Sequence, residues 1–329
     1  MNETLQALVD RFIENRDRIK AAFRLENEYI YPVCAQIYLM ADRPVDREQL
    51  ERCKALVKGA TGLFSHFRGN VKLPLICMLA AGDEPESRWA RTRRCYDLLK
   101  ETFPGSEYLA LAALLLSDGA QEEKDLAALA ERGKALYQRM RRKHPFLTGR
   151  EDSVFALLLA ESERSDDELI EDMEDCYARL DLRFPKGDAL QTASHVLALS
   201  PAPPEQKVQR MLALFDAIEG GGGKYGKDRQ LPTLAALSLG DGPVDDLARD
   251  ILEADRLLAQ QKGYRGVFGL DRRTRTMHAA MLLSLPDRRP ALVSAAAQQT
   301  ALAMIAVQQA LMCAVIASSA ASGAAASSH

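Results

Sequence analysis

The feature that most restricts the fold is a turn, built on an aromatic residue and a glycine, that recurs along the chain. Each time it introduces a short apolar segment and then a longer charged one. Phe67-Arg68-Gly69-Asn70 precedes LPLICMLAAG, and Phe103-Pro104-Gly105-Ser106 precedes YLALAALLLSDG. His144-Pro145-Phe146 with Gly149 precedes SVFALLLAES, and Phe184-Pro185-Lys186-Gly187 precedes LQTASHVLALS. Tyr225-Gly226 precedes LPTLAALSLGDG, and Phe268-Gly269 precedes MHAAMLLSL. The pattern amounts to about six units spaced by about 40 residues, within the range of helical-hairpin arrays.

Both segments of a unit read as helices. Leu169, Ile170, Met173, Cys176, Tyr177 and Leu180 recur at helical period, as do Val208, Met211, Leu212, Phe215 and Ile218. Ser165 with Glu168 and Asp46 with Gln49 have the spacing of capping boxes, Pro243 suits a helix start, and Ser106, Asp152 and Asp188 are natural N-caps. No run of alternating β-branched residues bounded by turns is present, so strand content should be close to nil. The short helix of each unit is apolar almost all round and must be covered on both sides, whereas the longer one, as in VDDLARDILEADRLLAQQ, needs cover on one.

Stacked hairpins satisfy both demands at once. The expected fold is therefore all-α, a tandem array of helical hairpins forming an α-solenoid or α/α superhelix. A helical cap over residues 1–60, broken at Pro32 and Pro44, would precede repeats over 61–317 in one domain, with 318–329 a disordered tail.

Charge narrows the partners. Against 46 acidic side chains stand 43 basic ones, and a net charge of −3 gives no global field for nucleic acid or an acidic membrane. The basic runs Arg139, Arg141, Arg142, Lys143 and Arg272, Arg273, Arg275 lack the interleaved aromatics that stack on bases and read as solvated faces. The cysteines Cys34, Cys53, Cys77, Cys95, Cys176 and Cys313 form no C-x-x-C pair and read as buried reduced thiols. The opening stretch has no apolar core of a secretory signal, so the expected location is cytoplasmic. From Ala291 to Ser328 there is no charge at all, but Gln298, Gln299, Gln308 and Gln309 favour a helix buried in protein over a tail anchor in lipid.

Several segments, ENEYIYPVCA, TGLFSHFRGNVKLPL, SEYLALAALLL, HPFLTGREDSVFALLLA, HVLALS, KYGKD and QKGYRGVFG, occur in that order over nearly the whole chain. Together they resemble a bacterial helical family known only as a domain of unknown function. The resemblance implies a single helical domain in a cytosolic bacterial protein and carries over no functional residues.

Familiar catalytic patterns fail on context. Gly220–Gly223 with Lys224 and Tyr225 mimics a phosphate loop, but the first glycine position is Ile218, Tyr225 stands where Ser or Thr belongs, and no strand precedes it. Gly263-x-x-Gly266-x-x-Gly269 also lacks a strand and fits a helix end. His66, His144, His195 and His278 lie in no H-x-x-x-H or E-x-x-H pattern, so no metal or other cofactor is expected. Ser194-His195 sits on an apolar helix without a nucleophile elbow.

What remains is collective: Arg68, Asn70 and Lys72 in one turn, Glu107 and Tyr108 in the next, then Asp152, with His195 and later Lys224 and Tyr225. Turns at equivalent points of a repeat align along one edge. These groups therefore either cap the short helices or form a ridge for a protein or peptide partner; in a closed α/α toroid they would instead surround a central enzymatic or small-ligand pocket. The absence of a catalytic constellation favours a binding scaffold over an enzyme.

Overall fold

The computed structural model describes residues 4–284, apart from 25, 27, 29, 63, 64, 70, 118–122, 241 and 266–268. The uncharged stretch from Ala291 onward, Asn70, Phe268 and Cys313 lie outside the described residues. Among the described residues every regular element is helical: fourteen α-helices and one 3-10 turn, His66–Arg68, with no strand. None of these helices is long and apolar enough to cross a membrane.

Three helices come first, α1 (Leu5–Ala22), α2 (Ile30–Met40) and α3 (Arg47–Ala60). The break between α1 and α2 lies ahead of Pro32, which sits in the first turn of α2, where its missing N–H costs nothing. Pro44 does separate α2 from α3. Asp46 caps α3 by accepting from the N–H groups of Glu48 and Gln49.

Short and long helices then alternate. The short ones are α4 (Lys72–Ala81), α6 (Glu107–Leu116), α8 (Asp152–Ala160), α10 (Asp188–Leu197), α12 (Leu231–Ser238) and α14 (Arg272–Leu282). The long ones are α5 (Pro85–Thr102), α7 (Glu123–Lys143), α9 (Asp166–Asp181), α11 (Pro204–Gly220) and α13 (Val244–Ala259). All residues of α8 and α12 are buried, whereas α9, α11 and α13 bury one face each. Ser165 and Glu168 form the expected capping box on α9. Asp152 and Asp188 stand one residue inside their helices rather than at the N-cap; Gly187 is the N-cap of α10.

The chain divides into two compact units. One holds residues 4–11, 138–148 and 161–284, the other 12–137 and 149–160. Within the first, the short helices pack in a row, α10 on α12 on α14, and the long ones in a second row, α9 on α11 on α13. Within the second, α3 packs on α5 and α6 on α8.

Two devices recur within the units. The first is aromatic: the residue at a turn stacks on a ring of the following long helix. Phe67 meets Tyr96 at 4.8 Å, Phe103 meets Tyr137 at 6.2 Å, and Phe184 meets Phe215 at 5.2 Å, all edge to face. The second is cationic. A long helix sends an arginine to the C-terminal carbonyl of the next short helix: Arg91 to Ser117 O, Arg132 to Ala160 O (3.0 Å), and Arg210 to Ser238 O (2.8 Å), the last also reaching Gly242 O in the following loop (2.8 Å). These carbonyls have no partner within their own helix, and the guanidinium also answers the negative end of the helix dipole.

In α9 the corresponding position is Asp172, and the charges are rearranged around it. Lys207 of α11 places its ammonium 2.7 Å from both carboxylate oxygens, and Arg164 donates at 2.7 Å. Those two cations then reach the end of α10, Lys207 to Ser200 O at 3.0 Å and Arg164 to Ala198 O at 2.9 Å. Asp172 is 5 % and Lys207 4 % exposed. Removing one member of such a buried pair strands the other charge. Asp172→Ala should therefore cost about 3–5 kcal/mol of unfolding free energy by denaturant titration, while Asp172→Leu with Lys207→Met should recover much of it. Loss of the exposed Arg52–Glu86 pair, in contrast, should leave the midpoint almost unmoved.

Candidate functional site

The polar turn residues are placed mostly as helix-end partners. Arg68 donates to Thr61 Oγ1 at 3.0 Å and to Lys58 O, closing the C-terminus of α3. Lys72 pairs with Glu26 at 2.6 Å. Ser106 caps α6 by accepting from Leu109 N, and Asp152, buried at the start of α8, accepts from Gly149 N at 2.8 Å.

Glu107, Tyr108 and Asp152 are brought together where α6 and α8 begin, with Glu151 beside them. Burial, and then the carboxylates of Glu151, Glu107 and Asp152, push the Tyr108 phenol up to about 12. Gly69 lies against this group, for a β-carbon there would meet Glu107 Oε2 at 2.0 Å. A side chain at that position would require the Glu107 carboxylate to move.

The remaining three belong to the other unit. His195 is buried on α10. Tyr225 is buried too, its hydroxyl donating to Gln230 O at 3.2 Å and its N–H to Glu219 at 2.7 Å, and burial raises its pKa well above the usual tyrosine range. Lys224 is exposed. The glycine run before it is the end of α11: Gly222, at φ +83°, donates to Glu219 O at 3.0 Å and Gly223 to Ile218 O at 2.9 Å. This pairing is a Schellman cap, and it uses the N–H groups that a phosphate would need.

The described cysteines are equally unsuited to nucleophilic work. Cys34, Cys53, Cys77, Cys95 and Cys176 are all buried. Burial pushes Cys53 up to about 11 and Cys95 and Cys176 up to about 12, so the reactive thiolate is scarce at neutral pH. Among the described residues no three His, Cys, Asp or Glu side chains are grouped to hold a metal ion.

The turn after α7 departs from the others. There His144, not Phe146, makes the inward stack, its ring 4.6 Å from Tyr177 and its Nε2 3.1 Å from Glu174 of α9. Phe146 is left 98 % exposed. The turn after α9 leaves Leu182 88 % exposed, and these two are the large apolar side chains exposed among the described residues. A shallow depression is lined by Gln138, Arg141, Arg142 and Pro145, the residue that precedes Phe146. A signal for Leu182 existed: it falls off the stripe marked by Met173, Cys176 and Leu180.

The Tyr108 cluster has a measurable pH signature. Its folded-state value lies above the usual 10.0 of a free tyrosine, so its contribution to stability is complete below that pH and declines as the pH rises toward 12. Tyr108→Phe should lessen the fall in denaturant midpoint between about pH 10 and about pH 12. An unchanged fall would show that the phenol ionises as freely in the fold as outside it.

Comparison with known proteins adds family but no activity. A curated relative, "Uncharacterized protein YeaA" of Bacillus subtilis (strain 168), is 24% identical over 272 residues, covering 80% of each chain. No solved structure matches the chain. The family model described as "Protein of unknown function (DUF4003)" matches residues 15–310, and the chain therefore belongs to that family.

Proposed function

We propose that this chain is a protein- or peptide-binding scaffold of the bacterial cytoplasm, built as an α-solenoid type of helical repeat, and that its partner docks on the turns following α7 and α9. The observation that carries this reading is the displaced aromatic. At three other turns the ring is used for packing, while at the fourth a histidine does that work and Phe146 is held out in water.

An exposed phenylalanine forgoes about 1.5–3 kcal/mol that burial would contribute. Leu182 follows α9, the helix that His144 contacts through Glu174 and Tyr177, so both apolar groups stand at the same end of neighbouring long helices. Aromatic anchors of this kind are enriched where proteins bind one another. The Bacillus relative and the near-neutral composition support the cellular setting.

Replacing Phe146 or Leu182 in turn by a photo-crosslinking phenylalanine analogue in cells should yield discrete heavier adducts. The same analogue at Gln209, exposed on α11, serves as the background. Adducts at 146 and 182 no stronger than those at 209 would overturn the reading.

A further inference from the structure

We propose that the Phe146 edge takes an acidic segment of a partner chain that carries a large apolar side chain, an inference that rests on the binding role argued above and names its partner's chemistry. The last turns of α7 carry Arg139, Arg141, Arg142 and Lys143. Arg139 of this neighbourhood is already matched within the fold by Asp167, and the His144 ring contacts Glu174. Arg141, Arg142 and Lys143 are exposed and have no acidic partner among the described residues.

The helix dipole accounts for cations in a last turn, but it has no bearing on the apolar groups set beside them. Here Arg141 and Arg142 line a depression together with Pro145, and the next residue is the exposed Phe146. Guanidinium groups pair with carboxylates through parallel hydrogen bonds and remain charged at any physiological pH. An exposed ring next in the chain to a depression lined by two guanidinium groups thus fits a ligand that alternates carboxylates with a large apolar side chain. A basic segment would be repelled by three unpaired cations, and a neutral one would leave them unanswered.

The test is selection of a random peptide library against the immobilised full chain, with each enriched peptide then titrated by fluorescence anisotropy. Enriched sequences should be rich in Asp and Glu around a Phe, Trp or Leu. Phe146→Ala should weaken them about tenfold or more, as expected for an anchoring aromatic. Arg141→Glu combined with Arg142→Glu should weaken them comparably, and binding should fall several-fold between about 0.01 M and about 1 M salt, where the screening length drops from about 30 Å to about 3 Å.

The ways of failing are distinct. Basic or neutral peptides that lose affinity in Phe146→Ala would keep the docking edge and overturn its acidic partner. Enrichment of nothing, or of peptides indifferent to Phe146→Ala, would overturn both. A dimer of the full chain in sedimentation that dissociates in Phe146→Ala would assign the edge to a second copy and likewise overturn the proposal. Because position 146 is exposed, Phe146→Ala should keep the wild-type helical circular dichroism and unfolding midpoint, which separates lost binding from lost folding.

Discussion

The structure depends on a helix that is apolar nearly all round having an end. A segment such as LPTLAALS or DSVFALLLA is stable only when covered on every side, and covering it takes its last carbonyls away from water. An unpaired buried carbonyl costs about as much as a lost hydrogen bond, so each short helix creates a demand that its neighbours must meet. The long helices meet it with arginine side chains. Arg91, Arg132 and Arg210 lie on α5, α7 and α11 and each reaches into the C-terminus of the short helix that comes next. Serine hydroxyls complete the ends, with Ser117 donating to Leu114 O, Ser238 to Ala235 O and Ser284 to Met281 O. The long helix is thus both lid and cap for the short one. Neither layer forms a stable surface without the other.

Asp172 inverts that rule. A carboxylate at the cap position cannot serve carbonyls, and left alone it would be a buried charge. It is tolerated because Lys207 and Arg164 converge on it and deliver to the end of α10 the positive charge that other long helices supply directly. One cap has become a three-membered network linking α9, the turn before it and α11. Asp255 makes a comparable tie between α13 and α14, accepting from both ends of the Arg275 guanidinium at 2.9 and 3.0 Å and from Thr276 at 3.0 Å. Both carboxylates are buried, and both are matched by cations that arrive from another element.

The alternation of helices was legible because burial on all sides leaves a compositional trace: no charge enters the core of LALAALLL, while every long segment alternates charge with apolar residues at helical period. The capping box at Ser165 was legible for the same kind of reason, since its two residues act within one turn of helix. The cation caps were not. An arginine 26 to 28 residues ahead of its carbonyl carries no local signal, and Arg91 and Arg210 look in sequence like ordinary members of a charged face. Arg68 lies in a turn, whereas Lys72, Glu107 and Asp152, read in sequence as turn residues, are the first residues of α4, α6 and α8, and which of them close helix ends depends on geometry that spacing does not encode. Phe146 was legible as a turn aromatic but not as an exposed one. Its fate was decided by His144, which takes the place against Tyr177.

That exchange of roles bears on how such an array acquires a function. The flanks of stacked helices are occupied by their neighbours, so a change there costs stability. The turns are the places where side chains are free to change. A turn that needs its aromatic ring for packing has little left to offer, as at Phe103 and Phe184, both buried. Where an imidazole accepts the packing role, helped by a carboxylate at 3.1 Å that a phenyl ring would not use, the phenylalanine is released for other contacts. Recognition at this edge therefore requires no departure from the architecture. It requires one turn in which the inward ring and the outward ring are different residues.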